Sequence, residues 1–86
     1  MNINQLIKVV EEKIKKKIQI EYLKIEDKSF LHKNHKTNEK GKFHLKLTIQ
    51  SKELREMIKV NAMRVVYKIL DEELKKYIHS IQILIN

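Results

Sequence analysis

The stretch Phe43-His44-Leu45-Lys46-Leu47-Thr48-Ile49-Gln50 alternates an apolar residue with a polar one over its whole length. In an extended chain, successive side chains point to opposite faces, so this alternation is typical of a strand with one buried face. We therefore predict a β-strand over residues 43–50. Its core-facing side chains are expected to be those of Phe43, Leu45, Leu47 and Ile49.

Two further stretches predict strands that pair with this central one. Residues 18–25, Ile-Gln-Ile-Glu-Tyr-Leu-Lys-Ile, are dense in the β-branched and aromatic side chains that fit a half-buried sheet surface. Residues 78–85 form a final apolar run in which His79, Ile81, Ile83 and Ile85 share one side of an extended chain. The polar residues 26–42 predict a long exposed connection, and long connections of this kind are often functional.

Helical patterns precede and follow the central strand. Before it, apolar residues recur at the spacing of one helix face, at Ile3, Leu6, Ile7, Val10 and Ile14. After it, Ser51 is a plausible N-cap for a short helix or turn that reaches about Lys59, and Asn61 is a plausible cap for the next helix.

The second long helix is predicted to end near Tyr77. Its expected core-facing residues are Met63, Val66, Tyr67, Leu70 and Leu74, whereas Asp71, Glu72 and Glu73 are expected to face solvent. The order is then α-β-β-α-α-β. It predicts a single α+β domain over residues 1–86, with helices packed on one face of a three-stranded mixed sheet.

Length and composition limit the function. An 86-residue chain with 42% hydrophobic residues builds one small soluble domain. No apolar run reaches the roughly 20 residues that span a bilayer, and the N-terminus lacks the features of a signal peptide. We therefore expect a cytoplasmic protein that does not insert into a membrane. Without cysteine, the chain has no disulfide, thiolate nucleophile or thiolate metal ligand of its own.

The net charge of +8 suggests nucleic-acid binding, because lysine and arginine neutralise phosphates. However, only Arg55 and Arg64 among the 19 basic residues are arginines, and bidentate recognition of bases favours arginine. A solvated lysine-rich surface is the simpler explanation of the charge.

No pattern of an enzyme is present. The serines lack the glycine-flanked turn of hydrolases, and a single glycine builds neither a phosphate-binding loop nor the GxxG clamp of KH domains. We therefore expect no catalytic activity. The remaining candidates are four histidines, His32, His35, His44 and His79, whose spacing alone indicates no zinc motif.

Five segments of the chain together resemble the BolA family. Residues 26–32, Glu-Asp-Lys-Ser-Phe-Leu-His, are similar to the family's Asp-Glu-Ser-x-x-His segment, and residues 44–47 to its Ser-His-Phe-Lys-Val strand. Residues 64–67, Arg-Val-Val-Tyr, match the end of the Arg-His-Arg-x-Val-Tyr signature. Residues 72–74, Glu-Glu-Leu, and 78–81, Ile-His-Ser-Ile, resemble its C-terminal segment. The resemblance covers essentially the whole chain.

This resemblance implies a fold close to class II KH domains and a role in iron–sulfur chemistry. BolA proteins pair with monothiol glutaredoxins and share a [2Fe-2S] cluster, for which the partner supplies cysteine and glutathione. Carried over to this chain, the ligands are His79 and His32, with His35 as a rival to His32. The isolated chain is expected to be a monomer.

The resemblance also implies an alternative function, that of a DNA-binding transcriptional regulator. The candidate residues are Lys52 and Lys59 at the two ends of the predicted short helix, and Asn61 and Arg64 at the start of the following helix. Ala62-Met63 replaces the Arg-His of the family signature, so functions of those two family residues do not carry over to this chain.

Overall fold

The computed structural model describes residues 1–29 and 42–86. In chain order, these residues form α1 (Ile3–Lys17), β1 (Tyr22–Asp27), β2 (Phe43–Gln50), α2 (Lys52–Arg55), α3 (Lys59–Ile69), α4 (Asp71–Lys76) and β3 (Ile78–Ile85). Strand β2 is central, antiparallel to β1 and parallel to β3. The predicted α+β fold with a three-stranded mixed sheet is confirmed. Within the two described ranges, no helix has the length and apolarity needed to cross a membrane.

The core lies between the inner face of the sheet and the helices. On β2, Leu45, Leu47 and Ile49 are buried, as their alternation predicted. Helices α1 and α3 cover them with side chains at helical spacing, namely Leu6, Val10, Ile14, Ala62 and Val66. The bounds of β2 and β3 agree with the predicted ranges.

Helix α1 begins with a reciprocal pair of hydrogen bonds. The backbone N–H of Gln5 donates to the side chain of Asn2 at 2.8 Å, and the backbone N–H of Asn2 donates to the side chain of Gln5 at 3.0 Å. These bonds satisfy two amides that would otherwise lack a partner at the helix start.

Strand β1 begins at Tyr22, so its predicted start at Ile18 was wrong. The Ile18 N–H still donates to the carbonyl of Ile14, and the Ile18 side chain is buried against α1 and the sheet. Residues 18–21 therefore turn the chain from the helix into the sheet. The strand continues to Asp27, opposite Leu45, so residues 26 and 27 belong to it rather than to the predicted connection.

Ser51 caps α2 as predicted. Its hydroxyl accepts from the Leu54 N–H and donates to the Gln19 carbonyl at 2.9 Å. The helix ends at Arg55, earlier than predicted, and α3 then begins at Lys59. Asn61 lies inside α3 and does not cap it, because the N-cap position is Ile58 and no side chain caps this helix.

The predicted long second helix is interrupted at Leu70, which separates α3 from α4. Leu70 is fully buried, and its backbone still connects the two helices: its N–H donates to Val66, and its carbonyl accepts from Leu74. Because the apolar side chains continue across the break, their spacing gave no sign of it.

For two side chains near this break, the predicted burial was wrong. Tyr67, predicted to lie in the core, is 39% exposed, because it follows the buried Val66 and so projects from another side of α3. Glu73, predicted to face solvent, is only 3% exposed. The Lys13 ammonium of α1 donates to Glu73 Oε2 at 2.6 Å, which makes the burial of this carboxylate tolerable.

Replacing Lys13 with methionine is expected to lower the free energy of unfolding by about 2 kcal/mol near neutral pH, since it leaves the buried Glu73 carboxylate unpaired. The hydrogen bond that Lys13 donates to Glu73 raises the pKa of Lys13 above its usual 10.5. This stabilisation is therefore complete below the pKa of the unfolded chain and is lost as the pH rises through the higher folded-state pKa. Urea denaturation at increasing alkaline pH measures both effects.

The matched control is Lys15→Met on the same helix. Among the residues that the structure describes, Lys15 pairs only with Glu11, and both side chains are about half exposed. We expect this control to change stability by less than about 0.5 kcal/mol. If Lys13→Met and Lys15→Met lowered the free energy of unfolding equally, the buried pair of Lys13 and Glu73 would stabilise the fold no more than an exposed ion pair does.

Candidate metal centre at the start of strand β3

The candidate ligand His79 is the second residue of β3 and its side chain is exposed. Strands β2 and β3 are parallel, so their first residues lie at the same end of the sheet. This arrangement places His79 beside His44 of the central strand, with 5.0 Å between the two ring centroids and the rings inclined by 61°. Two imidazoles that are far apart in the sequence therefore lie in edge contact.

A break in strand register explains the exposure of His79. Phe43 pairs with Ile78, whereas the next residue, His44, pairs with Ser80, so His79 is an extra residue in β3. Such bulges interrupt the alternation of faces and redirect a side chain. The prediction that His79 shares the side of Ile83 is therefore wrong, because Ile83 is buried and His79 is exposed.

His44 holds this end of the sheet together. It is 6% exposed, and its ring Nδ1 forms a hydrogen bond of 2.6 Å with the Ser80 hydroxyl. Its backbone N–H donates to the Ser29 hydroxyl at 3.1 Å, and its carbonyl accepts from the Lys28 N–H at 2.7 Å. His44 thus connects Ser80 of β3 with Lys28 and Ser29, which follow β1.

His44 was one of the four candidate histidines, but the sequence did not single it out as part of the site. The available signal was its position within the Ser-His-Phe-Lys-Val segment of the resemblance. The bulge that brings His79 and Ser80 to it is a tertiary feature without a sequence signature.

The region around His44 carries positive charge. Lys28, Lys46, His44 and Ser80 are among the residues that line a shallow depression of about 390 Å³. Glu26 lies on the neighbouring strand, opposite Lys46. A hydrogen bond from Lys28, aided by the charges of Lys24 and Lys46, holds the pKa of Glu26 below its usual 4.5. Glu26 therefore stays ionised and offsets part of the charge of Lys28, whose ammonium lies 3.3 Å from a Glu26 carboxylate oxygen.

The other predicted ligands, His32 and His35, lie outside the described residues. Within residues 1–29 and 42–86, no group of three or more His, Cys, Asp or Glu side chains is arranged to hold a metal ion. An exposed imidazole beside a buried, hydrogen-bonded one fits a site that is completed by other ligands, rather than a closed metal site of this segment alone.

The residues of the alternative DNA interface lie elsewhere. Lys59, Asn61 and Arg64 are exposed in the first half of α3, and Lys52 is exposed at the start of α2. The structure therefore brings three of the four together on one short helical stretch. None of these four contributes to the pair of His44 and His79.

The chain is similar to characterised proteins over nearly its whole length. The family model described as BolA-like protein matches residues 14–86. The "DNA-binding transcriptional regulator BolA" of Haemophilus influenzae is 36% identical over 81 residues, which cover 94% of this chain and 73% of that protein.

Solved structures agree with this relationship. The BolA domain of SufE1 from Arabidopsis thaliana superposes with a TM-score of 0.79 at 26% identity, covering 100% of this chain and 93% of that one. BolA1 from Arabidopsis thaliana superposes with a TM-score of 0.74 at 30% identity, covering 90% of this chain and 85% of that one. The matched sequence, the fold and the order of its elements lead to one conclusion: this chain belongs to the family of BolA-like proteins.

Proposed function

We propose that this protein is an adaptor that binds a monothiol glutaredoxin and shares a [2Fe-2S] cluster with it. The observation that carries the proposal is the exposed imidazole of His79, placed by a bulge beside the buried His44. An exposed ligand at the end of a sheet is accessible to a second protein.

In this proposal, His79 is one ligand and His32 the other, with His35 as the alternative to His32. The partner supplies a cysteine and glutathione. Neutral imidazoles in place of thiolates lower the negative charge of such a cluster and raise its reduction potential, which suits transfer or sensing of iron and sulfur. Lys46, which lines the depression beside His44, favours the approach of an anionic group such as the carboxylates of glutathione.

Visible circular dichroism tests the proposal, since it reports the ligands and surroundings of the cluster. The spectrum of a cluster-loaded monothiol glutaredoxin is recorded while this protein is added. A new spectrum that saturates at equimolar protein supports the shared cluster, whereas an unchanged spectrum contradicts it.

The Ser80→Ala variant is expected to release the shared cluster to a chelator about tenfold faster, because it removes the hydrogen bond to the His44 ring that contacts His79. Ser80→Thr keeps the hydroxyl and is expected to restore the slow rate. Thermal unfolding of both variants is measured in parallel. If Ser80→Thr releases the cluster as fast as Ser80→Ala, the hydrogen bond to His44 does not position His79.

A second candidate function, DNA-binding regulation in the cytoplasm, is favoured by the similarity to the DNA-binding transcriptional regulator of Haemophilus influenzae. The exposed residues Lys59, Asn61 and Arg64 of α3 are the proposed contacts. Fluorescence anisotropy with duplex DNA at increasing salt tests this candidate. Sequence-selective binding that Arg64→Ala weakens supports it, and binding that disappears at moderate salt without sequence preference contradicts it.

A further inference from the structure

A groove on the helical side of the molecule lies apart from the histidine pair. It runs between the C-terminal half of α1 and the second half of α3, has a volume of about 540 Å³, and is lined by Lys13, Lys16, Lys17, Val65, Lys68 and Ile69. Neither His44 nor His79 lines it. Among the described residues, neither the proposed cluster ligands nor the candidate DNA contacts line this groove.

The floor of the groove is apolar. Val65 and Ile69 are one helical turn apart on α3, and both are only partly buried against the core. The hydrocarbon stems of the surrounding lysines extend this apolar surface, since lysine keeps its charge in water while its stem packs. The groove therefore offers apolar area that a second surface is able to cover.

The rim of the groove carries uncompensated positive charge. Lys13 is neutralised by Glu73 and Glu72, at 2.6 and 3.8 Å. By contrast, Lys16, Lys17 and Lys68 are exposed and make no ion pair within the part of the chain that the structure describes. Other exposed lysines nearby do pair: Lys15 with Glu11, Lys75 with Asp71 and Lys76 with Glu72.

We propose that this groove binds an acidic amphipathic helix of a partner protein. Leucine-type side chains on one face of such a helix cover Val65 and Ile69, and carboxylates on its flanks reach Lys16, Lys17 and Lys68. Nucleic acid fits less well, because a phosphate backbone leaves the apolar floor uncovered, and none of the groove's lining residues within 1–29 and 42–86 is an aromatic on which a base could stack.

The probe is a fluorescein-labelled, hydrocarbon-stapled helical peptide with leucines along one face and glutamates on both flanks. Fluorescence anisotropy with the full chain is expected to show saturable binding, with a Kd on the order of 100 µM. Lys17→Gln combined with Lys68→Gln is expected to weaken binding about tenfold, and Val65→Thr, which keeps the side-chain shape, about threefold.

The matched control is Lys8→Gln combined with Lys75→Gln. It removes one exposed lysine from α1 and one from α4, both outside the groove, and is expected to weaken binding less than about twofold. The proposal is overturned by absence of saturable binding, by equal losses in the two double variants, or by equal binding of a peptide with lysines in place of the glutamates. Displacement of the peptide by duplex DNA or by phosphatidylserine vesicles at lower concentrations than the unlabelled peptide would also overturn it, by assigning the groove to another class of ligand.

Discussion

The His79→Ala variant is expected to lose the circular dichroism spectrum of the shared cluster completely while remaining folded. The substitution removes the exposed imidazole that is proposed to bind iron, and alanine offers no replacement ligand. Because His79 is exposed and makes an edge contact with His44, its truncation should change the free energy of unfolding by less than about 1 kcal/mol. Visible spectra of the mixed complex, recorded beside urea denaturation of the variant, separate ligand loss from unfolding.

The matched control for this prediction is Leu84→Ala, which truncates another exposed residue of β3, outside the depression around His44, and should leave the spectrum unchanged. Variants His32→Ala and His35→Ala then identify the second ligand, since only one of them should remove the spectrum. A normal spectrum with His79→Ala would show that this imidazole is not a ligand.

The Leu47→Ala variant is expected to lower the free energy of unfolding by about 3 kcal/mol, through lost apolar burial and the cavity that remains. Leu47 is fully buried at the middle of the central strand, paired with Ile25 on one side and Ile83 on the other. Strand β2 lies between β1 and β3, so Leu47 packs within the core cluster and not at an edge of the sheet.

Urea denaturation followed by far-ultraviolet circular dichroism measures this loss. Thr48→Ala is the control, because Thr48 is the next residue on the same strand and is only partly buried. We expect Thr48→Ala to lower the free energy of unfolding by less than about 1 kcal/mol. Similar losses for the two variants would contradict a core centred on the inner face of β2.

The sequence predicted those elements whose pattern reflects burial on a single face. The alternation in residues 43–50 arises because one face of the strand is buried in the core and the other is not. The ends of the alternating segment therefore coincide with the ends of β2. The start of β1 was predicted too early because Ile18 and Ile20 are apolar for another reason. They pack on the core from the turn after α1, so their hydrophobicity reflects burial and not an extended conformation. The break at Leu70 was missed for a related reason, since its apolar spacing continues through the change of direction.

The candidate site was only partly predictable. His79 was identified through the resemblance, but its exposure depends on the bulge between β2 and β3, and the contact with His44 depends on the pairing of distant strands. The burial of Glu73 likewise depends on Lys13, 60 positions earlier. Contacts of this kind are set by the packed fold, which local patterns in the sequence do not encode.

The central claim is that this protein completes a cluster held by a monothiol glutaredoxin. The most direct measurement is the visible circular dichroism of the cluster-loaded glutaredoxin during titration with the wild-type chain, with binding followed in the same samples by isothermal titration calorimetry. We expect a new spectrum that grows to saturation at equimolar protein, together with heat of binding over the same range. Binding with an unchanged spectrum, or no binding at all, would contradict a shared cluster.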